Sequence, residues 1–206
     1  EVVPMILKRP GVKRDKEVTF GNFEKNENFD KSTLDMQWMT LRTPGTELYS
    51  LSDTPGYLTL QCADISTTEK ETPAFICRRM QHHNFECTTR MLFDPSDNKE
   101  AAGLLLFKDE KHQYFLAVNK PGAKKQISLK KIGTKDQVLA SATLPENQNE
   151  ICLKVVSRGT HYDFYYSLKE GGDWTLLCKN IDAKYLSTAT AGGFTGSTIG
   201  LYATRK

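Results

Sequence analysis

The stretch richest in reactive side chains is F-I-C-R-R-M-Q-H-H-N-F-E-C-T-T-R-M-L-F, from Phe75 to Phe93. It holds the pairs Arg78-Arg79 and His82-His83 and two of the five cysteines, Cys77 and Cys87. Imidazoles and thiols are metal ligands, and paired guanidiniums clamp carboxylates. Spacing decides between these uses. Neighbours on a strand point to opposite faces, so His82 and His83 cannot chelate one ion if the stretch is extended, and Arg78 and Arg79 split in the same way. His112 and His161 stand alone, and no H-E-x-x-H occurs. The five cysteines (Cys62, Cys77, Cys87, Cys152, Cys178) are odd in number and lack C-x-x-C spacing. They read as small buried hydrophobes.

Carboxylates come next. Asp30, Asp94, Asp97, Asp163 and Asp173 stand in turn contexts, where their side chains cap local backbone groups. A structural calcium at Asp30 is chemically reasonable because hard oxygen ligands occur in such loops, although no D-x-D-x-D-G loop is present. No G-x-S-x-G elbow and no G-K-[ST] phosphate loop appears, and G-G-F-T-G-S-T at 192–198 reads as a tight glycine connection. Aromatic rings offer a third chemistry. Trp38, Trp174 and Tyr114 could stack on sugar rings if exposed, or pack internally if not.

The elements that position these residues are short. Net charge is +3 from 28 basic and 25 acidic residues, too balanced for a nucleic-acid binder. No apolar run approaches the ~20 residues of a membrane helix. Residues 1–24 hold two prolines and many charges without a period, and read as an extended arm or linker. The opening E-V-V-P, without Met, reads as a cut from a longer polypeptide. Beyond it, Tyr57–Cys62 alternates. Ala102–Phe107 is a short apolar run, and further strand-like segments follow at 112–118, 126–131, 138–143, 150–157, 162–167, 174–179 and 198–204. Asp182–Ser187 fits one helical turn. About ten to twelve short strands without an amphipathic helix predict an all-β sandwich or barrel. Phe75–Phe93 then becomes the central strand pair of the sandwich.

Ordered motifs sharpen this. F-D-K-S-T-L-D-M-Q-W at 29–38, P-G-Y-L-T-L at 55–60, C-R-R-M-Q-H-H-N-F at 77–85, A-G-L-L-L-F at 102–107, F-Y-Y-S-L-K-E-G-G-D-W at 164–174 and G-G-F-T-G-S-T-I-G-L-Y-A at 192–203 follow one another. In order and spacing the chain resembles the C-terminal module of glycoside hydrolase family 43 β-xylosidases and α-L-arabinofuranosidases. The resemblance implies a concanavalin-A-like jelly-roll sandwich of two antiparallel sheets over 25–206, with the arm at 1–24 leaving an upstream catalytic propeller. It also implies that the catalytic carboxyls belong to that propeller and that this chain carries none of them. The partners are then the propeller of the same polypeptide and xylo- or arabino-oligosaccharides. Arg78, Arg79, His82, His83, Trp38, Trp174 and Tyr114 are the candidates for glycan or domain contact. No cofactor is expected beyond the calcium. A module with its own glycan site and a free-standing sandwich glycosidase are the alternatives. Family members continue into one more strand, whose absence would leave an open sheet edge. In some relatives a loop brings an aromatic residue to the rim of the active site, and the loop aligned with it, Asp64–Pro73, has none. The compartment stays open.

Overall fold

Side chains that alternate between apolar and polar make strands with one dry face, while unbroken apolar runs make strands that are dry on both. Both kinds occur here. A computed structural model describes residues 23–206. The arm expected over residues 1–24 lies, up to residue 22, outside the described residues.

The strands are β1 (Met39–Thr40), β2 (Tyr49–Ser50), β3 (Thr59–Leu60), β4 (Ala74–Arg79), β5 (Asn84–Leu92), β6 (Glu100–Asp109), β7 (His112–Asn119), β8 (Gln126–Ile132), β9 (Gln137–Thr143), β10 (Glu150–Arg158), β11 (His161–Ser167), β12 (Thr175–Asp182) and β13 (Thr198–Arg205). Seven form a sheet in the order β1-β4-β13-β6-β7-β8-β9, four form a second in the order β12-β11-β10-β5, and β2 pairs with β3. All these strand pairs are antiparallel. Between the two sheets lie Leu104, Leu106, Leu116, Ile127, Leu129, Leu153, Val155 and Phe164, all at most 1% exposed. β9 and β12 approach each other and close one side of the sandwich.

The large sheet is also dry on its outer face. Phe75, Leu105, Phe107, Phe115 and Tyr202 cluster there. The polar loop 63–73 covers them. Thr67, 1% exposed, donates from its hydroxyl to Gln113 Oε1 at 2.6 Å, and its backbone N–H donates to the Tyr202 hydroxyl at 3.3 Å. Arg42 ties the loop down through the Glu71 carbonyl and Glu110. This loop is therefore a lid over a second core.

Several expectations change. Phe75–Phe93 is not a strand pair in one sheet. Met80–His83 carries the chain from the large sheet to the small one, so β4 sits between β1 and β13 while β5 is an outer strand. His82 and His83 thus lie on the crossover and not on a strand. The crossover is held by its ends. The Met80 N–H donates to Ser197 O at 3.0 Å, and His83 O accepts from Gly159 N–H at 3.0 Å. The alternating run at 57–62 pairs only at Thr59–Leu60. The turn expected at 182–187 is a 3₁₀ turn, Ala183–Leu186, with the Asp182 carboxylate accepting from the Lys184 N–H at 2.9 Å. The five cysteines are free thiols, and burial pushes the Cys77 and Cys87 thiols up to about 11.

Candidate functional site

A cleft of about 1070 Å³ runs beside β5, and Trp38, Arg78, Arg79, His82 and Trp174 all line it. The fold thus gathers five of the seven candidates from distant parts of the chain. Trp38 precedes β1, the arginines end β4, His82 is on the crossover, and Trp174 precedes β12. Residues 23–30 form part of the wall, and Phe23 meets His82 edge-on at 5.5 Å. A smaller recess of about 230 Å³ continues along β5, between Tyr57–Leu60 on one side and Thr89–Phe93 on the other.

The Tyr57 ring in that recess lies 5.6 Å from the Arg90 guanidinium. The two tryptophans of the cleft are partnered in the same way. Arg78 sits 5.6 Å from the Trp38 ring centre and also donates to Gln37 Oε1. Phe29 packs on Trp38 at 5.6 Å, and the indole N–H donates to Glu27 Oε2 at 3.2 Å. Lys154 Nζ lies 4.3 Å from the Trp174 ring and 5.1 Å from that of Tyr165. A cation on a ring face is attracted by the ring quadrupole, and here it takes a surface that a sugar would stack on.

Tyr114 drops out of the candidates. It is 2% exposed and its hydroxyl donates to Asp182 O at 3.0 Å. Burial raises its pKa, and a ring enclosed between the sheets meets no ligand. His83 is absent from the cleft lining, and its carbonyl accepts from the Ser157 hydroxyl at 2.6 Å. Asp30 lies on the cleft wall. Among the described residues no three His, Cys, Asp or Glu side chains converge as a metal-ligand set.

Arg90 links the cleft to the β11–β12 turn, with nitrogens 3.1 Å from Glu150 Oε2 and 3.1 Å from Glu170 Oε2. The Arg90 hydrogen bond holds the Glu150 carboxyl below its ordinary pKa. A carboxyl with a depressed folded-state pKa contributes stability above its unfolded value, ~4.3, and that stability is lost as pH falls through the folded value. The melting temperature of the wild type is therefore expected to fall below about pH 4. Arg90→Gln should flatten that part of the profile, and an unchanged acid limb would contradict the assignment.

One residue escapes the reading by motif. Phe194 is 109% exposed. It stands beside Gly192 and Gly193, whose φ values are 74° and 72°, a left-handed conformation that glycine adopts without a Cβ clash. The base of its loop is pinned. The Lys108 ammonium, on a residue only 5% exposed, donates to Thr195 O, and the Ser197 hydroxyl donates to Leu186 O at 2.8 Å. The signal in the sequence is G-G-F-T-G: its glycines announce a turn, and the apolar ring between them is the part that a turn does not require.

The likeness to known proteins covers this same region. Residues 26–206 match the family described as the β-xylosidase C-terminal concanavalin A-like domain. A non-reducing end α-L-arabinofuranosidase of Bacteroides ovatus is 29% identical over 179 residues, which cover 86% of this chain and 33% of that protein. A β-xylosidase of Bacillus subtilis is 30% identical over 184 residues, 85% of this chain and 34% of that protein. The solved structure of a xylan β-1,4-xylosidase from Bacillus halodurans superposes with a TM-score of 0.81 at 25% identity, covering 91% of this chain and 38% of that one. The chain spans about a third of the length of the curated relatives it matches. Its two-sheet architecture, its ordered motifs and this match place it in one group: the chain belongs to the C-terminal concanavalin A-like domain family of glycoside hydrolase family 43 β-xylosidases.

Proposed function

We propose that the chain is the non-catalytic accessory module of a longer xylan- or arabinan-degrading glycoside hydrolase, and that the end bearing Phe194 docks on the catalytic domain of the same polypeptide. The observation that carries this reading is the full exposure of Phe194 on a loop whose base is pinned. A large aromatic ring presented clear of its own fold on a pinned loop is suited to anchor a partner, since aromatic side chains are enriched among interface anchors. The neighbourhood supports the same direction. Met80, at the start of the crossover, bonds the loop through Ser197. Phe23, at the start of the described residues, reaches His82 on that crossover. The polypeptide therefore arrives on the same crossover that holds the loop of the exposed ring. Phe194 supplies, from a different loop, an exposed aromatic of the kind that loop 64–73 lacks.

The test uses the isolated chain and a separately produced catalytic domain. Phe194→Ala is expected to weaken their association by ~2 kcal/mol, about thirtyfold, the size of an interface anchor. The melting temperature of the isolated chain should not change. An unaltered dissociation constant would remove Phe194 from the interface.

A further inference from the structure

Among the described residues two lysines are buried, Lys108 and Lys125, each 5% exposed. Only one of them meets a carboxylate. Lys125 Nζ lies 2.8 Å from Asp94 Oδ1 and donates to Asn149 Oδ1 at 2.8 Å. Lys108 donates to the neutral Thr195 carbonyl and makes no ion pair among the described residues. A buried charge is ordinarily matched by an opposite one. The exception marks the end of the sandwich where it sits.

That end is the one bearing Phe194. Thr198, at the start of β13, pairs with Arg79 of β4 on one side and with Phe107 of β6 on the other. The loop of Phe194 thus runs into the large sheet between the strand ends that carry Arg79 and Lys108. Arg79 is exposed and likewise makes no ion pair among the described residues. The carboxylates of the neighbouring turns are engaged elsewhere. Asp109 Oδ1 lies 2.8 Å from His112 Nδ1, Glu110 Oε1 lies 2.6 Å from an Arg42 nitrogen, and Asp136 Oδ2 lies 3.9 Å from Lys130 Nζ. The Asp182 carboxylate accepts from the Lys184 N–H. The face around Phe194 therefore holds two cations without a counter-charge beside a fully exposed apolar ring.

We propose that the surface receiving this end is acidic, an apolar pocket for the Phe194 ring with carboxylates on its rim. The proposal rests on the docking reading given above and adds the chemistry of the partner's face. Arg79, being exposed, takes one carboxylate directly. Lys108 is covered by its own fold and acts at a distance. Its charge is held away from water, so its field is weakly screened and reaches the rim past the loop. Charge complementarity of this kind steers encounter and fixes orientation, while the ring supplies the anchor. Lys108 is a positioning residue: its bond holds the loop and its charge orients the partner.

Binding of the chain to a separately produced catalytic domain, followed at low and high salt, tests it. At ~0.05 M salt Arg79→Glu is expected to slow association about tenfold, and at ~1 M, where the screening length is ~3 Å, the difference should vanish. Lys108→Gln keeps a donor for the Thr195 carbonyl and removes the charge. It should weaken binding about fivefold at low salt and leave the melting temperature of the isolated chain unchanged. Lys124 is exposed between β7 and β8, at the opposite end of the sandwich. Lys124→Glu, an equal reversal of charge, should slow association less than about twofold. The proposal is overturned if Arg79→Glu associates like the wild type at low salt, or if Lys124→Glu slows association as much. A lower melting temperature for Lys108→Gln would assign that charge to the fold and remove Lys108 from docking. Phe194→Ala separates the two readings. If it weakens binding in low and high salt while the charge variants do nothing, the docking end stands and the acidic partner face falls. If it leaves binding unaltered, both fall.

Discussion

Gly200→Ala is expected to lower the melting temperature by roughly 6–12 °C, a loss of about 3 kcal/mol. Gly200 lies in β13, paired with Cys77 on one side and Leu105 on the other. A Cβ there would stand 2.2 Å from the Ile76 carbonyl oxygen and 2.5 Å from the Cys77 Cα. Those are backbone atoms of a central strand and cannot rotate away, so the ladder itself must shift. Gly159 is the control. It has a φ of 66° but nothing within 4 Å of its Cβ position, so Gly159→Ala should cost only the ~1 kcal/mol of an unfavourable backbone conformation. Differential scanning calorimetry of the two variants separates crowding from conformational strain. Equal losses would refute the steric account.

Phe164→Ala is expected to cost about 3–5 kcal/mol, with a melting temperature lower by roughly 6–20 °C. Phe164 is fully buried, with its ring 6.3 Å from those of Tyr114 and Tyr162. Truncation leaves a cavity between two sheets whose ladders restrain its collapse. The two aromatic partners would also lose their contacts. The same substitution at exposed Phe194 should leave stability within ~0.5 kcal/mol. One residue type thus gives opposite readings in one chain, and chemical denaturation measures both. A small loss at Phe164 would mean that the core repacks.

Most strands are legible in the sequence because their burial follows their letters. Ala102–Phe107 and Tyr114–Val118 are apolar without interruption, and both lie in strands dry on two faces. The crossover at Met80–His83 is illegible. It contains no glycine or proline, and its polar residues fit an edge strand equally well. Tyr114 cannot be placed from its type either, since a phenol serves a core as readily as a surface when a carbonyl waits for its hydroxyl. The cleft is legible only as a set of residues. Trp38, Arg78 and Trp174 stand out by type, but nothing local shows that three distant segments meet beside β5. Phe194 is plain in the sequence, yet its glycines account for the turn so fully that the ring looks incidental.

The place of β13 in the large sheet has a consequence for the order of assembly. It lies between β4 and β6, joining residues 198–205 to residues 74–79 and 100–107. During synthesis, β6 through β9 can pair in succession as they emerge. β4 has no bridge to them until β13 arrives. The nascent chain must therefore hold β4 and its apolar side chains, Phe75 and Ile76 among them, apart from the main sheet while everything from residue 80 to residue 197 is made. Closing so long a loop is slow, and exposed strand edges invite association during the wait. Chaperone demand during production should therefore depend on β4, long before the finished sandwich shows any sign of it.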